Sequence, residues 1–173
     1  MSVLLNVTLD FHSVYGMSLT ILDIDSNFSL GEIERQKQAT LLRLESEGLL
    51  DFNKQFVLAP VLQSIAIISS ETAAGYQDFK KHLEENDLSY RFSTKLFQAS
   101  MQGDQAAVSI QSAIKAIEES KLNFDVVVLI RGGGSSIDLS CFDDYPLAAR
   151  LAQCIYPIFT GIGHERDISI ADK

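Results

Sequence analysis

Two short segments hold most of the groups that could do chemistry. Arg131-Gly132-Gly133-Gly134-Ser135 joins a guanidinium to three residues that have no side chain. Glycine lets a backbone take positive φ and come close to a ligand, and arginine offers planar paired donors that match phosphate oxygens. The segment therefore reads as an anion clamp, in which Gly132, Gly133, Gly134 and Ser135 supply phosphate-binding amides beside Arg131. A tight turn is the plainer reading, and it needs glycine but not arginine. The second segment, Gly161-Ile162-Gly163-His164-Glu165-Arg166-Asp167, delivers a histidine after two glycines. Histidine carries protons near neutral pH, and Asp167 three residues on orients its ring, ligates a metal, or caps a helical turn at Ile168-Ser169-Ile170-Ala171. Asp78 falls early in a helical pattern, where the helix dipole by itself favours a carboxylate. Asp143-Asp144 reads as capping for a helix that starts at Tyr145.

These segments need elements to position them. Apolar runs at 64–69, 90–96, 126–130 and 157–160 read as strands. Between them, helical periodicity covers 73–85, 103–120 and 145–154, the middle one carrying Ala107, Ile110, Ala113, Ile114 and Ile117 on one stripe. Strands alternating with helices imply βαβ units and an α/β fold, an open and mainly parallel sheet flanked by helices. Ligands in such sheets sit at the carboxyl ends of the strands, so Ser69-Ser70-Glu71-Thr72, Arg131–Ser135 and 161–167 are expected on one rim. Ahead of this core, 4–11 and 18–23 alternate like two strands about Tyr15-Gly16. A helix over 30–47 follows, with Ser29 and Glu32 as a capping box and Gly48 as its stop. One compact domain is expected, made of 1–60 (strand pair, helix and connector) and 61–173 (α/β core).

With 173 residues, 46% hydrophobic and 21% charged, the chain has enough apolar material for a buried core. The apolar stretch 56–68 is interrupted by Pro60, Gln63 and Ser64, and no membrane span or signal peptide is expected. A soluble cytoplasmic protein follows as the expectation. Cys141 and Cys154 lack metal-site spacing and read as reduced. The formal charge of −9 opposes bulk electrostatic binding of nucleic acid, unless contact is confined to a small site or supplied by another domain.

The segments Asp10-Phe11, Tyr15-Gly16-Met17-Ser18-Leu19, Asp23-Ile24-Asp25, Leu30-Gly31-Glu32, Glu47-Gly48-Leu49, Asn53-Lys54, Ile67-Ile68-Ser69-Ser70, Asp78-Phe79, Gln102-Gly103, Arg131-Gly132-Gly133-Gly134-Ser135, Asp138-Leu139 with Phe142, and Gly163-His164-Glu165-Arg166-Asp167 together resemble the large-subunit family of exodeoxyribonuclease VII, in its central catalytic region. The resemblance covers nearly the whole chain, and the order and spacing of the arginine–glycine and histidine segments are its specific part. Arg166 stands where the family often has Thr, and Ser140-Cys141 replaces a stretch containing Trp.

The resemblance implies hydrolysis of phosphodiester bonds of single-stranded DNA from either end to oligonucleotides, in bacterial DNA catabolism and repair. It implies Asp78, Arg131, His164 and Asp167 as the active-site set. It also implies a small-subunit partner, with Mg2+ as an activator that is not essential and no assigned metal ligands. The family's N-terminal OB-fold and C-terminal coiled coil are not found in this sequence, which therefore reads as the central piece of a longer protein. A non-catalytic nucleotide- or phosphate-binding module is the alternative from a different class. Against a dinucleotide site, the glycines do not spell G-x-G-x-x-G, and no Gly-Lys-Ser/Thr ending supports a triphosphatase.

Overall fold

The computed structural model describes residues 4–132, 136–163 and 168–173. Contacts divide the chain into two compact units, 1–39 and 40–173, a division that falls inside a helix.

In the first unit, β1 (Leu4–His12) and β2 (Gly16–Asp25) form an antiparallel hairpin, with Gly16 at φ +78° closing the turn. The register pairs Phe11 with Met17, Leu9 with Leu19 and Val7 with Ile21, and a bulge follows Asn6. One face of the ribbon is thus apolar, and it is exposed along its length. Helix α1 (Ser26–Ser46) begins before the expected start, so Ser29 lies inside the helix and is not its cap. Glu32 instead accepts hydrogen bonds from Arg35 and Gln36 within the helix.

The end of α1 belongs to the second unit and stops as expected. Gly48 takes φ +69°, its N–H bonds the Glu45 carbonyl at 3.0 Å, and Leu49 N–H bonds the Leu44 carbonyl at 2.9 Å. This is the paired closure of a Schellman motif, and buried Leu44 and Leu49 provide its apolar contact.

The core of this unit is a four-stranded parallel sheet in the order β4 (Ser93–Gln98), β3 (Ser64–Ser69), β5 (Val126–Ile130), β6 (Ile158–Gly161). Side chains alternate across β3 and β5 and so build two layers. Ile65, Ile67, Val126, Val128 and Ile130 face α2 (Ala74–Glu84), which adds Tyr76, Phe79 and Leu83. Ala66, Ile68, Val127 and Leu129 face α3 (Ala106–Glu119) and α4 (Tyr145–Ala152). On α3, Ile110, Ile114 and Ile117 are fully buried, each contributing about 1.5–3 kcal/mol of transfer free energy. The helices lie on the faces that crossovers of one common hand dictate, α2 on one side and α3 and α4 on the other.

The expected strand at 90–96 starts later, because the Asn86 side chain takes both the N–H (2.8 Å) and the carbonyl (2.8 Å) of Tyr90, and Ser89 has φ +56°. The helix expected from 103 starts at Ala106, since Gly103 has φ +78° and closes a turn onto Ala106.

Polar groups tie down both ends of the sheet. At the amino end, the Asp125 carboxylate accepts the N–H groups of Gln63 and Ser64, each at 2.8 Å. Those two backbone donors hold its pKa below the ordinary carboxylate value. Asn53 lies against the start of β6, where its amide accepts from Ile158 N–H at 2.8 Å and donates to the Tyr156 carbonyl at 3.0 Å. Cys154 is buried in the core and Cys141 half-buried upon it, neither in a disulfide. Burial raises the Cys154 thiol. Among the described residues, no helix is long and apolar enough to cross a membrane.

Candidate active site at the carboxyl edge

Strands β3 and β5 are neighbours, yet β3 sends the chain to α2 on one face and β5 sends it to α4 on the other. Such a reversal opens a crevice at the carboxyl edge of the sheet, the position where open α/β sheets bind ligands. A cleft of about 300 Å³ lies there, walled by Ser70, Thr72, Ala73 and Ala74 from the β3–α2 turn, by Ser100 and Gln102 beyond β4, and by Arg131 and Gly132.

Arg131 is only 8% exposed although it carries a full charge. Its backbone N–H donates to the Gly161 carbonyl at 3.0 Å, which continues the β5–β6 ladder one step past the strand. Gly132 packs on the first turn of α2: a Cβ there would lie 3.1 Å from the Ala74 nitrogen and 3.3 Å from the Ala73 Cβ. Gly75 packs closer still, its Cβ direction pointing at the Arg131 carbonyl oxygen. Helix α2 thus rests directly on the arginine's backbone. Its N-cap is Ala73, which has no side-chain acceptor, so the first-turn amides that α-helices leave without partners open toward the cleft. Partial positive charge from those amides faces this space, and Arg131 is among the residues that wall it.

Small hydroxyl groups line the remaining walls. Ser70 Oγ and Thr72 Oγ1 lie 3.2 Å apart, Ser100 Oγ donates to the Gln102 carbonyl at 3.1 Å, and Ser100 N–H donates to Ser109 Oγ at 2.9 Å. The β4 contribution is absent from the sequence reading, which ends that strand at Leu96 and so misses the turn that brings Ser100 and Gln102 to the rim. Their only local signal is the Gln102-Gly103 pair within the family resemblance.

Arg131 and Gly132 follow the carboxyl end of β5 and border the cleft. Asp78 is exposed in the second turn of α2, with its carbonyl oxygen 2.7 Å from His82 Nδ1, and it does not line the cleft. Gly133, Gly134, Ser135, His164 and Asp167 lie outside the described residues. The described chain on either side of them is anchored: Leu139 and Phe142 are buried after Ser135, and Ile162 and Ile170 are buried before His164 and after Asp167. Capping near the chain end falls to Ser169 and Asp172, which form a reciprocal capping box, with Ser169 Oγ donating to Asp172 at 2.7 Å. Asp144 is the N-cap of α4 without a side-chain cap bond, whereas Asp143 accepts Ile170 N–H at 2.7 Å. Among the described residues, no three His, Cys, Asp or Glu side chains converge as metal ligands would.

A parallel α/β domain with a hydroxyl-lined cleft bordered by a buried arginine at its topological switch point is the class that this architecture defines. The family model "Exonuclease VII, large subunit" matches residues 49–173. An exodeoxyribonuclease 7 large subunit of Deinococcus radiodurans is 31% identical over the whole chain, which corresponds to 42% of that protein. Its counterpart in a Cyanothece species is 39% identical over 75% of the chain and 30% of its own length. The Campylobacter lari protein is 38% identical over 83% of the chain and 36% of its own length. The chain belongs to the exonuclease VII large-subunit family, and it spans less than half the length of these relatives.

Proposed function

We propose that the protein to which this chain contributes is an exodeoxyribonuclease that hydrolyses phosphodiester bonds of single-stranded DNA from either end and releases oligonucleotides. It works in the cytoplasm as a large subunit assembled with a small subunit. Membership of the family supports the activity, and buried Arg131 at the switch-point cleft is the observation that carries the site.

In this reading Arg131 and the amides of Gly132, Gly133, Gly134 and Ser135 hold the scissile phosphate and stabilise charge developing on its oxygens. His164 moves the proton, either from the attacking water or to the leaving 3′-oxygen. Asp167 orients the imidazole. Mg2+ serves as an activator that is not essential, since a guanidinium already neutralises part of the phosphate charge. Confining the cation to one cleft lets a chain of net charge −9 accept a polyanion.

The test is degradation of single- and double-stranded DNA by the complete large and small subunits, in EDTA and in magnesium. Arg131→Ala and His164→Ala should each abolish cleavage of single strands. Normal cleavage by either variant refutes its assignment. Saturable binding of ATP without any response to DNA would favour a nucleotide-binding module instead.

A further inference from the structure

Ser69, the last residue of β3, is fully buried and carries a hydroxyl among aliphatic neighbours. Its surroundings explain why. The β3–β5 register ends with Ile68 opposite Leu129, after which β3 turns away through a bend closed by Ala73 N–H on the Ser70 carbonyl. The next carbonyl on β5, that of Ile130, would lose its partner from β3. Ser69 Oγ supplies one, donating to it at 2.7 Å, while the Ser69 carbonyl is committed on its other side to Ala99 N–H at 2.9 Å.

The Ile130 carbonyl and the Arg131 N–H belong to one peptide unit. Ser69 holds its oxygen and the Gly161 carbonyl holds its N–H at 3.0 Å. The plane from which the arginine side chain departs is therefore clamped from both neighbouring strands. Helix α2 bears on the following carbonyl through Gly75. A hydrogen bond at each end of a peptide removes the rotation that would swing the next Cα–Cβ bond, so the clamp fixes where the guanidinium can reach.

We infer that Ser69 is a positioning residue for Arg131, acting through the Ile130–Arg131 peptide and not on substrate. This rests on the reading of Arg131 as the phosphate clamp. The experiment is a double-mutant cycle in the full-length protein, with kcat and KM measured on a single-stranded oligonucleotide and the folded fraction checked by circular dichroism. Ser69→Ala should lower kcat by about tenfold, by analogy with other small displacements of catalytic groups. Ser69→Thr, which keeps the hydroxyl, should restore most of the loss. In an Arg131→Ala background, where cleavage is expected to be lost, Ser69→Ala should change the affinity for the oligonucleotide by less than about twofold, since its route of action is gone. Should Ser69→Ala fail to fold, Ser69→Cys keeps the shape of the side chain, slightly enlarged, with a much weaker donor and takes its place. A folded Ser69→Ala protein with unchanged kcat, alongside an inactive Arg131→Ala, overturns the positioning role alone. An equal loss of affinity in both backgrounds overturns it too. Full activity of Arg131→Ala overturns the reading of the site itself.

Discussion

Asn53 offers the sharpest test of how the sheet is held, because the family resemblance includes Asn53-Lys54 but the structure gives the two residues different duties. The Asn53 amide accepts from Ile158 N–H at 2.8 Å and donates to the Tyr156 carbonyl at 3.0 Å, with a longer contact to the Cys154 carbonyl at 3.4 Å. It thus stands in for a neighbouring strand along the open edge of β6. Two ordinary hydrogen bonds are worth about 0.5–1.5 kcal/mol each, and leaving half-buried Ile158 N–H unpaired adds to that, so Asn53→Ala should cost about 2–3 kcal/mol. For a unit of this size, each kcal/mol lowers the melting temperature by about 3–4 °C, giving a drop of roughly 6–12 °C. Lys54 pairs with Asp51 at 3.0 Å, but the two side chains are 60% and 78% exposed, and Lys54→Ala should cost less than about 0.5 kcal/mol. Asn53→Asp adds a control: it keeps the acceptor for Ile158 but turns a negative charge on two carbonyls. Its carboxyl should therefore titrate above the usual value, and its stability deficit should shrink as pH falls and the protonated form donates to Tyr156. Thermal and urea unfolding followed by circular dichroism read all three variants. If Asn53→Ala shifts the midpoint no further than Lys54→Ala, the surrogate-strand argument is wrong.

Other consequences follow from the same geometry. Asp125 has a folded pKa lowered by two backbone donors, so its contribution to stability is complete above the unfolded carboxylate pKa of about 3.9 and disappears as pH falls through the lower folded value. Asp125→Asn should therefore reduce stability at pH 7 and flatten the loss of urea midpoint below pH 4; an unchanged acid profile refutes the assignment. Phe142 is fully buried, and Phe142→Ala should cost about 3–5 kcal/mol in urea unfolding. A cost below about 1 kcal/mol would show that this anchor after the glycine loop is not packed as described. Gly132→Ala should impair cleavage of single-stranded DNA far more than it lowers the melting temperature, because its methyl group would press on the first turn of α2 beside the cleft. Equal and large losses of both would point to a purely structural glycine.

How far the sequence reveals this architecture depends on where each constraint originates. Strands β3 and β5 match the expected 64–69 and 126–130, because short continuous runs of apolar residues, Ile65–Ile68 and Val126–Ile130, are what a sheet buried on both faces requires. Boundaries move where a side chain or a positive φ intercepts the backbone, as Asn86 does at Tyr90 and Gly103 does before α3. Arg131 and Gly132 are legible because their signal is local, an arginine leaving a strand for glycines. Ser69 and Asn53 are not. Their partners lie 61 and 105 residues away, and neither a serine ending a strand nor an asparagine in a connector announces a hydrogen bond at that separation.

The strand order explains why the arginine stands on β5. An edge strand has a neighbour on one side only, and its final peptide can turn toward solvent. β5 has β3 and β6 on its two flanks, and both extend a hydrogen bond one step beyond their own pairing, Ser69 to the Ile130 carbonyl and Gly161 to the Arg131 N–H. The same interior position lies at the switch point, where the departures of β3 and β5 to opposite faces leave the cleft open. Rigidity of the backbone and access for a ligand normally conflict, because burying a peptide on both sides tends to cover its side chain as well. Divergent crossovers remove that conflict by clearing the space above the clamped peptide. In the proposed function, an acidic chain with 14 Lys and Arg against 23 Asp and Glu holds a phosphate by placing one cation well and not by a broad positive surface, and an interior strand beside a topological reversal is where the sheet allows that.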